Sequence, residues 1–459
     1  MELKDRVSPL IFLFAFILSA LTMPEKLSVT YDEALYIDIA RNLAHSLGNF
    51  TYRNTYMMYR PPVYPYTLSV LYRLLPYEHH LMAARLTSSF FYALTTALVY
   101  RFARKLGLGE WQSLSGALFY ALNPLAFATS NRALVHAQFT FFYTLTLYLL
   151  YTGRKEEPRR IYLAFATAAL AILTRYTGLS IVGVMLAYLW LVDDWEWLKW
   201  KEYYIGAGIF VLMLLPWLYM GHVHYGGAFQ PFEVASKVVT LDRPSSAFNY
   251  LKDVMLALTP GFVLLTFLGF IDLKKDDSSW LLVSWGFIGL MGILTVVHKE
   301  VRFITFLSPA IAVLSAMGVG LIHRYAGKYE RENVLRGAIT LGIVLLLFAP
   351  FIGEGINYKE EQWDRVWLTE NRVVLMASEY SFDSIIVSGR LYTLAGFYYP
   401  GAEVDQLVNY PKMRRNLEEG HYDVVIYRQG DPLWRYIERG NYTATAKYGP
   451  YVILTRGEK

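Results

Sequence analysis

No cysteine occurs among the 459 residues. Disulfides, thiolate metal centres and a cysteine nucleophile are therefore excluded at the outset. Charge is scarce too: Asp, Glu, Lys and Arg together make up 18% of the chain, against about a quarter in ordinary soluble domains. The net charge is only +5, and no basic tract interleaved with aromatics is present, which argues against nucleic acid as a partner. There is no internal repeat, no low-complexity tract and no glycine-rich phosphate loop. Hydrophobic residues fill 55% of the chain instead, and they come in runs near the length that crosses a bilayer.

Eleven such runs are read as spans: 7–24, 83–100, 111–129, 132–151, 161–174, 178–192, 203–221, 251–271, 280–297, 303–322 and 335–352. They predict a polytopic α-helical membrane domain over residues 1–352, with about 11 transmembrane helices. The first run has no small-residue cleavage signal and is followed by others, so a retained helix is expected. Lys and Arg set the orientation. With Lys4 and Arg6 inside, alternate loops place Arg101/Arg104/Lys105, Arg154/Lys155/Arg159/Arg160, Lys199/Lys201, Lys274/Lys275 and Arg324/Lys328/Arg331 on the cytoplasmic side. Residues 25–82, 222–250, 298–302 and the tail after 352 then face outward. The expectation is a multi-pass plasma-membrane protein with a cytoplasmic N-terminus and an external C-terminal domain. An external domain without disulfides suits a prokaryotic envelope, an archaeal one included.

The first external loop, 25–82, carries its own pattern. Leu35, Ile39, Leu43, Ala40 and Leu47 line one stripe of a helix over 31–47, predicting an amphipathic helix on the membrane surface. The apolar run 64–75 is too short to span and reads as a second interfacial or re-entrant helix. The tail, 353–459, changes character. Strands are expected at 384–388 and 423–427, helices at 390–397, 410–419 and 432–438, and two more strands turning at Gly449-Pro450. This makes a small external α/β domain.

Chemistry concentrates on the outward side. Asp32-Glu33 opens the helix at 31, where Thr30 and Glu33 have capping-box spacing. One carboxylate completes that box, so Asp32 is left over; the helix dipole favours its anion, and an anion there suits a general base. Arg60 precedes Pro61-Pro62, which fix the backbone and extend the residue before them. Arg60, Arg85, Arg132, Arg175, Lys299 and Arg302 all sit at outer ends of spans, where cations are rare. A ring of cations, guanidiniums foremost, points to a phosphate or pyrophosphate headgroup. His136 is read either as a histidine satisfied by a neighbour or as a ligand of a phosphate or metal.

Tyr31-Asp32-Glu33-Ala34-Leu35-Tyr36, Ala40-Arg41-Asn42, Arg60-Pro61-Pro62-Val63-Tyr64 and Ala84-Arg85-Leu86 follow in order. Asn123-Pro124, Ser130-Asn131-Arg132-Ala133-Leu134, Leu173-Thr174-Arg175, and Lys299-Glu300-Val301-Arg302-Phe303 before Pro309 complete the set. Over roughly residues 5–325 this resembles the GT-C glycosyltransferases, in the branch of the dolichyl-phosphate-mannose protein mannosyltransferases and aminoarabinose transferases. The resemblance implies that Asp32 is catalytic with Glu33 in support, and that Arg60, Arg85 and Arg175 face the lipid-linked phosphate. It implies a polyprenyl- or dolichyl-phosphate donor of a hexose such as mannose, and a protein, lipid or glycan acceptor. Two departures stand out. Tyr59 occupies the place of a metal-supporting glutamate, and His136 that of an acidic residue, so a divalent metal is an open expectation. The rival expectation is a transporter or flippase of an anionic lipid or small anion, which should show inverted repeats and mid-membrane charges. Apart from His136, neither is present.

Overall fold

The computed structural model describes residues 6–24, 28–53, 55–240, 245–330, 332–348 and 366–457. Lys4 and Arg331, residues 349–352 of the last expected span, and the first residues of the tail lie outside these. Among the described residues each of the eleven apolar runs contains a helix. They are α1 (Val7–Leu21), α4 (His80–Lys105), α5 (Glu110–Ala121), α7 (His136–Lys155), α8 (Arg160–Thr174), α9 (Ser180–Asp193), α10 (Lys201–Tyr225), α12 (Ala247–Ile271), α13 (Asp277–Leu294), α14 (Ser308–Tyr329) and α15 (Asn333–Phe348). Between these lie α2 (Tyr31–His45), α3 (Val63–Tyr72), α6 (Pro124–Thr129) and α11 (Gln230–Thr240). Among the described residues, five helical segments are long and apolar enough to cross a membrane: Tyr176–Asp193, Lys201–Tyr225, Ala247–Ile271, Asp277–Leu294 and Val301–Tyr329. α1, α8 and α15 are shorter apolar helices.

Contacts divide the chain into two compact units, Met1–Met23 with Asn42–Lys359, and Pro24–Arg41 with Glu360–Lys459. Pro24–Arg41, which the sequence groups with residues 1–352, clusters with Glu360–Lys459. Helix α2 passes from one unit into the other.

The first unit is a helical bundle around an aromatic core. Trp285, Tyr143 and Phe306 are buried together, with Tyr143 and Phe306 ring centres 4.7 Å apart. Where α12 crosses α14, Gly269 and Gly318 let the backbones touch. A Cβ on Gly269 would meet the Leu314 carbonyl at 1.8 Å, and one on Gly318 would meet the Leu265 carbonyl at 2.2 Å. Small residues at a crossing are the usual way for apolar helices to gain van der Waals contact. At the far ends, Arg154 bridges Asp193 at 2.5 Å and Asp277 at 2.6 Å, tying α7, α9 and α13. Asn123 caps α6, its Oδ1 accepting from the Leu125 and Ala126 N–H groups, with Pro124 as first helical residue.

The long outer loop adds a two-residue hairpin, β1 (Thr51–Tyr52) with β2 (Thr55–Tyr56), which periodicity does not reveal. Helix α2 departs from the surface helix expected. Most of its residues are buried on every side, and only its last turn is open. Its polar groups find partners: Glu33 closes the cap, Arg41 pairs with Asp38 at 2.9 Å, and Asn42 donates to the Thr51 carbonyl at 2.9 Å. The helix ends where Arg73 donates to the Leu43 and Ala44 carbonyls, satisfying acceptors that a helix C-terminus leaves open.

In the second unit, five strands run in the order β4 (Glu403–Gln406), β3 (Ser384–Val387), β5 (Val424–Arg428), β7 (Tyr451–Arg456), β6 (Tyr442–Tyr448). β3 is parallel to both β4 and β5, whereas β7 is antiparallel to β5 and β6. The apolar runs at 385–387 and 424–426 are the buried centre, as continuous runs in parallel strands should be. Helices α16 (Val366–Met376), α17 (Tyr392–Tyr398), α18 (Pro411–Glu418) and α19 (Trp434–Ile437) accompany the sheet.

Candidate functional site

Three sequence-predicted residues meet on one aromatic ring in the first unit. α8 stops at Arg175 because that residue is extended (φ −156°, ψ 127°), and a short 3-10 turn, Tyr176–Leu179, follows. The break turns the Arg175 guanidinium onto Phe303, 4.1 Å from its ring centre. The same guanidinium lies 2.9 Å from Nδ1 of His136, the first residue of α7. Arginine can only donate, so Nδ1 accepts and Nε2 carries the ring proton. Arg302 lies 5.9 Å from the Phe303 ring and pairs with Glu300 at 2.5 Å. Glu300 also meets His298 at 3.2 Å.

Phe303 is set by the 3-10 helix Val301–Leu307 that leads into α14. Residues three apart eclipse in that geometry, so Phe306 follows Phe303 down one side and anchors in the core against Phe139 and Tyr143. Sequence reasoning missed Phe303 as a site residue, and only its place beside Arg302 hinted at it. Glu300 and His298 were missed for the same reason: pairing across a turn leaves no periodic mark.

The remaining cations sit on segments laced together by hydrogen bonds. Tyr59 and Arg60 occupy the turn before α3, where the Arg60 N–H donates to the Met57 carbonyl at 2.8 Å. The Arg60 guanidinium lies 5.4 Å from the Tyr59 ring. Tyr176, next to Arg175, donates to the Met58 carbonyl at 2.7 Å and accepts from Trp217 Nε1 at 2.8 Å. Arg85, in α4, is 3% exposed, and Arg132, between α6 and α7, is fully buried. Tyr64 contacts the Ala84 carbonyl and Ser88 Oγ at 3.4 and 3.3 Å, and Ser88 donates to the Leu134 carbonyl. Gln138 donates to Thr67 at 2.8 Å, joining α7 to α3. Five segments bearing Arg60, Arg85, Arg132, His136 and Arg175 are thus cross-linked. Lys299, counted with the cations in the sequence, donates its ammonium to the Ser245 carbonyl at 3.2 Å.

Asp32 and Glu33 belong to the second unit. The capping box forms: Glu33 N–H donates to Thr30 Oγ1 at 3.2 Å, and Thr30 N–H to Glu33 Oε2 at 2.9 Å. Glu33 is fully buried, whereas Asp32 is half-buried in the same turn. A divalent metal wants several converging oxygen or imidazole donors. Among the described residues no three His, Asp or Glu side chains converge in that way; one Glu33 oxygen is taken by its cap and His136 Nδ1 by Arg175. Among the described residues the donor set therefore does not fit a metal.

Comparison with known proteins gives these features a context. The family model of dolichyl-phosphate-mannose-protein mannosyltransferases matches residues 59–220. An uncharacterized protein of Aquifex aeolicus is 30% identical over 303 residues, a match covering 62% of this chain and 58% of that relative's length. The solved structure of ArnT from Cupriavidus metallidurans superposes with a TM-score of 0.71 at 14% identity, covering 99% of this chain and 98% of the other. The same protein bound to undecaprenyl phosphate superposes at 0.67, again at 14% identity and with 99% and 98% covered. The Archaeoglobus fulgidus oligosaccharyltransferase in its apo form gives 0.64 at 12% identity, covering 97% of this chain and 75% of that one. The chain therefore shares the fold of these solved membrane proteins, and over residues 59–220 it is similar to the dolichyl-phosphate-mannose-protein mannosyltransferases.

Proposed function

We propose that the chain transfers a hexose such as mannose from a polyprenyl or dolichyl phosphate to an acceptor hydroxyl at the external face of a plasma membrane. The observation that carries this reading is the grouping of Arg175, His136 and Arg302 around Phe303. Two guanidiniums and an Nε2–H donor suit a phosphate better than any neutral ligand. An ArnT solved with undecaprenyl phosphate on the same fold supports the choice of donor.

In this reading Asp32 takes the proton of the acceptor hydroxyl as its oxygen attacks the anomeric carbon. The bond from that carbon to the phosphate oxygen breaks with its electrons on the leaving polyprenyl phosphate. Attack opposite the phosphate inverts the anomeric centre. Arg60, Arg85, Arg132, Arg175 and Arg302 balance the charge that develops, so the leaving group needs no proton. Glu33 holds the helix start that carries Asp32. The acceptor is a protein, lipid or glycan hydroxyl. Eleven spans with the N-terminus cytoplasmic and the tail external, the division at about residue 352, complete the proposal.

The test is transfer from tritiated dolichyl-phosphate mannose to host membranes by the detergent-purified chain. Asp32→Asn is expected to abolish transfer, by about 100-fold or more, while binding donor as the unmodified chain does. Undiminished transfer by that variant would falsify the assignment. Concentrative uptake of an anion into vesicles, with no transfer, would favour the transporter reading instead.

A further inference from the structure

The half-buried Asp32 sits on a helix start that the second unit grips at two points. Just before the cap, the carbonyl of fully buried Val29 accepts from Asn371 Nδ2 at 2.8 Å. Asn371 is itself fully buried on α16; the same Nδ2 donates to the Trp367 carbonyl at 2.7 Å, and its Oδ1 accepts from Tyr398 Oη at 2.7 Å. Three turns along α2, the Arg41 guanidinium lies 4.8 Å from the ring centre of Phe397. Phe397 and Tyr398 are consecutive on α17, so one short helix serves both grips.

We infer that Asn371 is a positioning residue for the reaction proposed above, its side-chain amide fixing the backbone at Val29 and hence the turn that presents Asp32. The inference rests on the reading of Asp32 as base. Its chemical logic is specific to an amide. Two carbonyls face the nitrogen and one hydroxyl faces the oxygen, so donor and acceptor are needed on one planar group. Aspartate would set an oxygen against two carbonyls, and leucine would satisfy none of the three partners while filling the same space. This assigns the tail a task in turnover, through the carboxylate-bearing helix, without any contact with the sugar.

The experiment compares Asn371→Leu and the milder Tyr398→Phe with Asp32→Asn and the unmodified full chain. Hydrogen exchange at residues 31–36 and transfer from tritiated dolichyl-phosphate mannose are read on the same preparations. The expected result is faster exchange at 31–36 and a kcat lower by about 100-fold in Asn371→Leu, the scale of loss from a misplacement of about 1 Å. KM for the donor stays within twofold, and Tyr398→Phe shows the same pattern more weakly; a merely structural lesion would lower active fraction and melting temperature and spare kcat per folded molecule. Unchanged exchange in both variants overturns the inference whatever the activity. Faster exchange with undiminished kcat, while Asp32→Asn is dead, also overturns it and leaves the reading of Asp32 standing. Full transfer by Asp32→Asn overturns both.

Discussion

At the level of single residues, the informative contrast is between charge that was readable and convergence that was not. Arg175 and Arg302 stand out in the sequence because cations are rare where the outer span ends are expected, and His136 stands out as a lone histidine in an expected span. That they share Phe303 follows from an extended Arg175 and a 3-10 turn, neither of which has a sequence period. The stack makes arginine at 175 hard to replace. Lysine keeps the charge but has no flat face for Phe303, and its three donors sit on one nitrogen, without the planar fork that lets a guanidinium reach His136 and a phosphate together. Arg175→Lys is expected to weaken binding of undecaprenyl phosphate by about 10- to 100-fold, the scale of one charge-assisted hydrogen bond and a stack. Calorimetric titration in detergent checks this. Equal affinity in the variant would mean that position 175 acts through charge alone.

Among elements, the apolar runs fix the helices well, because a run of that length has few other ways to satisfy its backbone. The strands at 384–387 and 424–428 were legible as unbroken apolar runs, with the turn at Gly449 (φ +57°) marked by its residue type. β4 was missed because an edge strand reading Glu-Val-Asp-Gln offers one buried side chain. The hairpin at 51–56 is too short to show alternation. α2 was legible as a helix, but its stripe suggested a surface, and only tertiary contacts reveal burial around it. How closely elements pack is equally hidden until glycines are examined in place. Gly269→Ala would push α12 off α14, which carries the 301–307 turn at its start. The expected loss is at the upper end of the about 1–3 kcal/mol of overpacking, or beyond it, because backbone, not a side chain, blocks the Cβ. Gly286→Ala on α13 meets nothing within 4 Å and is expected to be neutral or to stabilise by up to about 1 kcal/mol. Melting curves of the two variants in one detergent should separate by several degrees; coincident curves would deny the crossing its tightness.

For the whole molecule, contacts group stretches that lie far apart in the sequence. Local periodicity cannot say that Pro24–Arg41 clusters with residues more than three hundred positions later. The second unit also carries a group whose ionisation ties its stability to pH. Asp423 stands before β5 and receives the N–H groups of Asp383 and Ser384, each at 3.0 Å, and the Ser384 hydroxyl at 2.9 Å; Arg456 pairs with it at 2.7 Å. Partial burial works to raise its pKa, but these donors outweigh burial, and the carboxyl is held below the usual carboxylate range. A folded-state pKa below the unfolded one means that the anion stabilises the fold. That contribution is fully present above the unfolded value of about 3.9 and disappears as pH falls through the lower, folded value. The unmodified chain should therefore lose protection of the β3 and β5 amides as pH is taken from 5 to 3, in exchange data corrected for intrinsic rate. Asp423→Asn should begin less protected at pH 7 and change much less over that interval, since its side chain cannot titrate. Parallel profiles for the two chains would place the acid sensitivity elsewhere, whereas convergence near pH 3 would locate it at the junction of the two parallel strands.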